Sequence, residues 1–530
     1  MERRPGSQPH AQPPLGKRRR APPRVSFQRQ CATDAYAPSA GAVLGPEVRP
    51  GVKYIFMRYR LSPAGRPGTP RLLVEPVVFI SGPLRVPDAS PILARAIAGP
   101  PPRYPPRTHL TEVLQRLAHE SGFVRCHRKI DPVAFFWAVT LEAGVYLQRS
   151  LDQLRHVYNE CAARPLHSYA SFYDRFTPEL VDFLRRCTAH GLAQLKAAPG
   201  DRLAPRLAEF EDVLIEDSTI VRLSAALARN YPPVRHIHPT AGAKIAALLS
   251  VRANGPQRLE LTAESVNDRD TLKPGPWAKG TVLLLDLGYY KHQAFARIAE
   301  NGGYYLTRLH RLVEPTVVCS LRVHRGRAIE VDGRRWSEIV PRLQGEVVDL
   351  EVEIAFSRRA YSGHRRGDTL VARLVGVWDE ECRKYHTCHT NIGVEALSAE
   401  EVAQLYGCRW RIELVLKELK SQYALDQVNT TNRSVAEALI WASPLTLVVS
   451  RRLHLAVRER IPQPLRARYP PMRWGIAFRE QSGRILETLL DRLHRKHVDP
   501  EPLLELARTL MARAMEPNAG RERFRAEWWG

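Results

Sequence analysis

Val282-Leu283-Leu284-Leu285-Asp286 is the stretch on which the fold turns. Four successive apolar residues without polar alternation suit a strand covered on both faces, as in the middle of a parallel sheet. Asp286 ends the run and Gly288 permits a turn. Residues 291–300 then have helical spacing, Gly302-Gly303 stops them, and Tyr304-Tyr305-Leu306 begins another strand. Upstream, Val213-Leu214-Ile215 is a short apolar strand running into Glu216-Asp217, and residues 245–251 and 259–261 read as further strands. Strands alternating with a helix predict an α/β core over 210–307.

Downstream the texture changes. Residues 317–323, 328–331, 347–354 and 370–377 alternate like antiparallel strands and are punctuated by Asp332-Gly333 and Ser362-Gly363. They predict a β-rich insertion over 308–397. Ser398-x-x-Glu401 is a capping box opening one long helix through about residue 423. A second helical stretch covers 434–453, where Glu437 and Pro444 favour a buried core helix over a membrane span. The core is expected to resume over 398–456, and 457–530 reads as a basic C-terminal tail ending in Trp528-Trp529.

Before the core, residues 107–200 are helical. Asp131-Pro132 reads as an N-cap with Pro at the first helical position; Ser150, Ser168 and Thr177-Pro178 open three more helices, the last through residue 187. Short helices with tight turns, studded with Arg125, His127, Arg128, Lys129, Arg149, Arg155 and Arg175, suit a helix-turn-helix-like bundle that binds DNA, and equally a generic helical domain. Residues 1–106 hold 21 of the 42 prolines and 17 Lys/Arg against 5 Asp/Glu. Such proline density opposes long helices and central strands, so a disordered leader or translation from too early a start is expected ahead of a nucleic-acid tail at Lys17-Arg18-Arg19-Arg20, with a short strand-like patch at 77–80.

Charge narrows the function. The chain carries +24, with 79 Lys/Arg against 55 Asp/Glu, and half of that excess survives without the leader. A polyanionic partner follows, nucleic acid before an anionic membrane. No uninterrupted apolar run is long enough to span a bilayer, and 8 cysteines in 530 residues make no disulfide framework, so a reducing, intracellular setting is expected. Cys382, His386, Cys388 and His389 hint at zinc without the spacing of a closed site.

Three acids carry the chemistry. Asp217 and Asp286 each follow an apolar strand, where open α/β sheets place their sites, although a lone strand-end Asp is ordinarily a turn former. Glu413 lies on the long helix with Tyr406, Arg409 and Lys420. At 100° per residue these four fall at roughly 0°, 300°, 340° and 320°, one polar stripe beside the apolar face of Leu405, Ile412, Val415, Leu416 and Leu419. A carboxylate among cations suits a metal-bound phosphodiester; the plainer alternative is a salt-bridged helix surface.

Tyr406-x2-Arg409-x3-Glu413-x6-Lys420 resembles in full the Tyr-Arg-Glu-Lys signature of the DDE transposases of the insertion-sequence-four family. Asp286-Leu287-Gly288-Tyr289 resembles that family's second acidic motif, Asp217-Ser218-Thr219-Ile220 its first, and Ser171-Phe172-Tyr173-Asp174-Arg175-Phe176 a segment of its helical domain. The likeness covers about residues 107–455. One departure is Leu287, where the family commonly has Arg.

The resemblance implies an RNase H-like catalytic core interrupted by the β-rich insertion. It implies that Asp217, Asp286 and Glu413 bind two divalent ions, Mg2+ or Mn2+, which activate the attacking hydroxyl and stabilise the leaving oxygen at phosphorus. Tyr406, Arg409 and Lys420 would hold DNA phosphates, while Trp410 is expected to pack in the core. Cut-and-paste transposition is implied, with terminal inverted repeats and target DNA as partners, a homodimer in the DNA complex, and a bacterial cytoplasm with its nucleoid as the setting. Two rivals share these residues: an RNase H-like nuclease without strand transfer, and a DNA-binding descendant that has lost catalysis.

Overall fold

A computed structural model describes residues 57–62, 71–76 and 107–517, apart from 126–129, 147–149, 199–202, 235–239, 254, 324–329, 344–346, 359–366, 380–381, 460 and 495–500. The chain divides into two compact units. Met1–Phe56 with Pro76–Ile80 falls almost wholly outside the described residues; Met57–Glu75 with Ser81–Gly530 carries everything below. Within the expected leader, β1 (Met57–Ser62) and β2 (Arg71–Pro76) pair as a two-stranded sheet, so the disorder read from proline density does not extend over these segments. The patch at 77–80 lies outside the described residues, as do His127, Arg128, Lys129 and Arg149.

Five helices follow: α1 (Arg107–Glu120), α2 (Pro132–Ala138), α3 (Leu151–Cys161), α4 (Tyr169–Tyr173) and α5 (Pro178–Ala197). Their starts are set by local hydrogen bonds. Asp131 accepts the N–H groups of Val133 and Ala134, Ser150 that of Gln153, Ser168 that of Ser171 and Thr177 that of Leu180. Each bond satisfies a donor that the first helical turn leaves free. Phe123, Phe135, Phe172, Phe176 and Tyr158 interlock inside the bundle. Helix α5 runs on to Ala197, past the residue 187 read from the sequence.

The sheet has nine strands. In chain order the elements are β3 (Asp212–Leu223), β4 (Ala241–Ser250), β5 (Gly255–Ala263), α6 (Asp268–Thr271), β6 (Thr281–Leu285), α7 (His292–Glu300), β7 (Tyr304–Arg308), β8 (Thr316–Ser320), α8 (Trp336–Ile339), β9 (Val348–Ser357), β10 (Gly367–Asp379) and β11 (Lys384–Thr390). Their order across the sheet is β5-β4-β3-β6-β7-β11-β10-β9-β8. Strands β3, β6 and β7 run parallel at the centre and every other pairing is antiparallel. The strands of 308–397 therefore do not make a sheet of their own. They extend the core sheet through β11, a strand absent from the sequence reading, which pairs with β7.

The apolar run at 282–285 is explained by its position. Val282 and Leu284 pack into the core shared with the helical bundle, while Leu283 and Leu285 pack with Phe295 and Ile298 of α7 and Trp336 of α8. Both faces of β6 are covered, so no residue of it can be polar without losing hydration.

The remaining helices are α9 (Ala399–Gly407), α10 (Trp410–Ser421), α11 (Arg433–Arg458), α12 (Gln463–Arg466), α13 (Pro471–Glu480), α14 (Ser482–His494) and α15 (Glu501–Ala514). Ser398 and Glu401 form the reciprocal capping box. Arg373, buried on β10, binds Asp349 through two nitrogens and donates to the carbonyls of Gly393 and Leu397, fixing the approach to α9. The segment read as a tail is folded: Trp474 is fully buried, its Nε1 donating to the Ser450 carbonyl, and Phe478, Met511 and Ala514 join the same core. No helix among the described residues is long and apolar enough to cross a membrane.

Helix α11 joins the bundle to the sheet core. Thr446 Oγ1 donates to the Thr140 carbonyl at 2.9 Å, and two glycines allow the close approach. A Cβ on Gly144 would lie 1.8 Å from Thr446 Oγ1, and one on Gly191 would lie 2.3 Å from Val448 Cγ1. Gly144→Ala and Gly191→Ala should each cost about 1–3 kcal/mol through overpacking. Urea midpoints unchanged in both variants would refute this account of the bundle–α11 contact.

Candidate active site

The centre of the sheet sets out the site. Strands β3 and β6 pair in parallel up to Glu216 opposite Leu285, and β6 and β7 up to Leu285 opposite Thr307. The next residues along the three neighbouring strands are Asp217, Asp286 and Arg308. Asp217 does not end its strand, as the sequence reading had it, since β3 continues to Leu223 beside β4. What ends there is the pairing with β6, and this opens the sheet in front of the carboxylate.

The second correction concerns the long helix. It is two helices, α9 and α10, broken at Cys408-Arg409. The N–H groups of Cys408, Arg409, Arg411 and Ile412 bond to carbonyls three residues back rather than four. This tighter winding turns the chain faster than the α-helical 100° per residue. The four-residue stripe is thereby split. Tyr406 is buried, at 8% exposure, with the Arg308 guanidinium 5.7 Å from its ring centre, instead of standing at a rim. Trp410, expected in the core, is 45% exposed. Lys420 Nζ donates to the Ile220 carbonyl at 3.1 Å, clasping α10 to β3.

At the break, Arg409 gathers the three acids. Its Nη2 donates to Glu413 Oε1 at 2.8 Å, its Nη1 is 3.7 Å from Asp217 Oδ2, and its Nε is 3.7 Å from Asp286 Oδ1. Carboxylates nearly 200 residues apart in sequence thus share one guanidinium. Burial pushes the Asp217 carboxyl up to about 6; the Ser218 N–H and Arg409 pull it down, while Asp286 and Glu413 push it up. Burial opposes the charge on Arg409, but Asp286, Tyr406 and Glu413 outweigh it and raise its pKa.

An all-oxygen set with more negative charge than Arg409 offsets fits a hard divalent cation in kind. Among the described residues, no three His, Cys, Asp or Glu side chains are already disposed around a single ion position, Arg409 standing among the acids instead. The zinc-like group does not assemble: His386 pairs with Asp379, and Cys388 and His389 are successive residues of β11 that face opposite sides of the sheet. The sequence reading missed Arg308. Its place at the end of a strand following Tyr304-Tyr305-Leu306 was visible, but nothing local marked it as a neighbour of Asp286.

The family described as Transposase DDE domain matches residues 208–449, which include all three acids and Lys420. Residues 208–449 thus carry a DDE transposase domain. The chain is 21% identical over 399 residues to the transposase for insertion sequence element IS231B of Bacillus thuringiensis subsp. berliner, covering 67% of this chain and 80% of that one. It is 24% identical over 390 residues to the transposase for IS231F of Bacillus thuringiensis subsp. israelensis, covering 66% and 79%. Among solved structures, a piggyBac transposase synaptic complex with hairpin DNA aligns with 82% of this chain and 86% of that one, at a TM-score of 0.35 and 9% identity, too distant to support any statement about this chain.

Proposed function

We propose that this transposase moves an insertion sequence by cut-and-paste, with Asp217, Asp286 and Glu413 as its catalytic acids on an RNase H-like core. The observation that carries the reading is the convergence of those three carboxylates on Arg409. The strand order supports the fold: β3 is central, antiparallel to β4 and parallel to β6, with β7 beyond, and the acids lie where the parallel strands open.

Asp217, Asp286 and Glu413 would hold two Mg2+ or Mn2+ ions, whose chemistry when bound is to sharpen the attacking hydroxyl and relieve charge on the leaving oxygen. The protein's own part is positioning. Arg409, shared here among the acids, would hold a DNA phosphate where those acids held cations instead. Arg308 stands beside Asp286 and supplies the cation that the family pattern places at Leu287. Lys420 holds α10 against β3 and presents its remaining donors to the backbone of the DNA, and Tyr406 seats Arg308. The helical bundle binds the terminal inverted repeats, target DNA takes the open edge of the site, and two copies bridge the element ends.

The test uses the full chain, the element ends and Mg2+. Excision that leaves 3′-hydroxyl ends, followed by joining to a target plasmid, supports the reading. Cleavage without joining would leave a nuclease, and binding with neither would leave a DNA-binding descendant. A narrower expectation concerns Arg308. Arg308→Ala should weaken binding to element ends and to unrelated DNA alike, and should reduce the slope of log K against log salt by about 0.9. An unchanged slope would remove Arg308 from the phosphate contacts.

A further inference from the structure

Behind the acids, on the other side of β3, lies a polar brace that the reaction as described does not use. Side chains alternate along a strand, so Ser218 faces away from Asp217. Its Oγ donates to Asp268 Oδ1 at 2.8 Å. Lys244, only 6% exposed and opposite Ile220 on β4, donates to the same oxygen at 2.8 Å and also to the Val266 carbonyl. The Ser218 N–H in turn donates to Asp217 Oδ1 at 2.8 Å and so sets the rotation of that carboxylate. A chain of charge-assisted bonds therefore runs from Lys244 through Asp268 and Ser218 to Asp217.

Asp268 also meets the turn that carries Asp286. Its Oδ2 would lie 3.3 Å from a Cβ on Gly288, two residues past Asp286. On the same short helix, Asp270 accepts from Lys291 at 3.2 Å. Asp268 and Gly288 themselves line a hollow of about 430 Å3 that opens between α6 and this turn, with Asn267, Arg269, Leu287 and Tyr290. Asp268 is thus one of the residues through which α6 meets the turn.

We propose that Asp268 is a positioning residue of the transposase: bonded to Ser218 and packed on Gly288, it sets the spacing between Asp217 and Asp286 and thereby the fit of their cations. This rests on the reading of those two acids as cation ligands. A counter-ion that only neutralised buried Lys244 would have no need to reach both Ser218 and Gly288. Outer groups that orient ligands typically govern about 10–100-fold in metal affinity.

The test separates positioning from charge balance. Ser218→Ala removes the Oγ bond that ties Asp268 to β3, while leaving the Lys244–Asp268 pair and the backbone N–H bond to Asp217 in place. The double variant Asp268→Ala/Lys244→Met removes the pair together, so that no buried lysine is left alone. Mn2+ binding is measured by calorimetry on the full chain without DNA, and thermal midpoints are recorded in metal-free buffer. Both variants should bind Mn2+ about tenfold more weakly, with an equal rise in the Mg2+ concentration for half-maximal end cleavage. Their cleavage rates at saturating metal should approach that of the unaltered protein. Variants with lowered thermal midpoints but unchanged Mn2+ affinity would reduce Asp268 to a structural counter-ion and overturn the proposal. If the unaltered protein itself bound no Mn2+, the reading of the acids as ligands would fall, and this inference with it; unaltered protein that binds while both variants match it sinks this inference alone.

Discussion

Glu413→Gln should lower end cleavage and strand transfer by at least about 10^3-fold, equivalent to about 4 kcal/mol in the barrier, while leaving the protein folded. The argument rests on the poverty of Glu413's structural role. Its side chain is 56% exposed, and the hydrogen bond it makes is to Arg409, four residues earlier. Pairs of that spacing on an exposed helix contribute about 0.3–0.5 kcal/mol. Losing one cannot unfold a chain whose helix α10 is held by Ile412, Leu416 and Leu419 in the core. A large loss of activity in a variant with an unshifted thermal midpoint therefore reports chemistry at the acid. Gln preserves the shape and an oxygen but removes the charge that a divalent ion requires. Strand-transfer product within tenfold of the unaltered protein, at matched Mg2+, would remove Glu413 from the catalytic group.

The second large effect is on stability, five residues along the same helix. Glu418 and Arg451 are 1% and 2% exposed and paired at 2.5 Å. Tyr423 donates to the other carboxylate oxygen at 3.1 Å, and Arg451 Nη1 donates to the Pro471 carbonyl at 3.2 Å. The pair thus binds α10 to α11 and to the start of α13. Glu418→Ala strands a guanidinium without its counter-charge inside the core, and about 3–5 kcal/mol of stability should go with it. Removing both charges, as in Glu418→Met/Arg451→Met, should restore most of that loss, because the desolvation of each ion disappears with the attraction between them. Urea denaturation of the three proteins reads the result. A single variant within about 1 kcal/mol of the unaltered protein would mean that water reaches the pair and screens it.

The two expectations depend on residues that look alike in sequence. Glu413 and Glu418 are both helical glutamates near a cation, yet one fronts the site and the other is sealed behind it. The wheel drawn for a continuous helix grouped Tyr406 with Glu413, and the tighter turn at Cys408-Arg409 separated them. The same turn swung Trp410 outward. The β-rich segment was recognisable from alternation at 347–354 and 370–377, but β11 was not. Its Lys384-to-Thr390 run is rich in polar residues, and only pairing with β7 and β10 buries Cys388, His389 and Thr390.

By itself the sequence determined the helix starts and the buried central strand, and proposed a chemical cast. Caps at Asp131, Ser150, Thr177 and Ser398 close hydrogen bonds within three residues, and the unbroken apolar run at 282–285 admits no exposed face, so both act wherever the chain lies. The spacing of Tyr406, Arg409, Glu413 and Lys420, with Asp217 and Asp286 after apolar strands, nominated the candidate acids. Only the tertiary structure decided how they meet. The parallel register of β3, β6 and β7 sets Asp217, Asp286 and Arg308 side by side, and the break between α9 and α10 delivers Arg409 to all three acids. Strand register and helix phase at a kink are fixed by packing between segments remote in the chain, and no local run of residues encodes that sum.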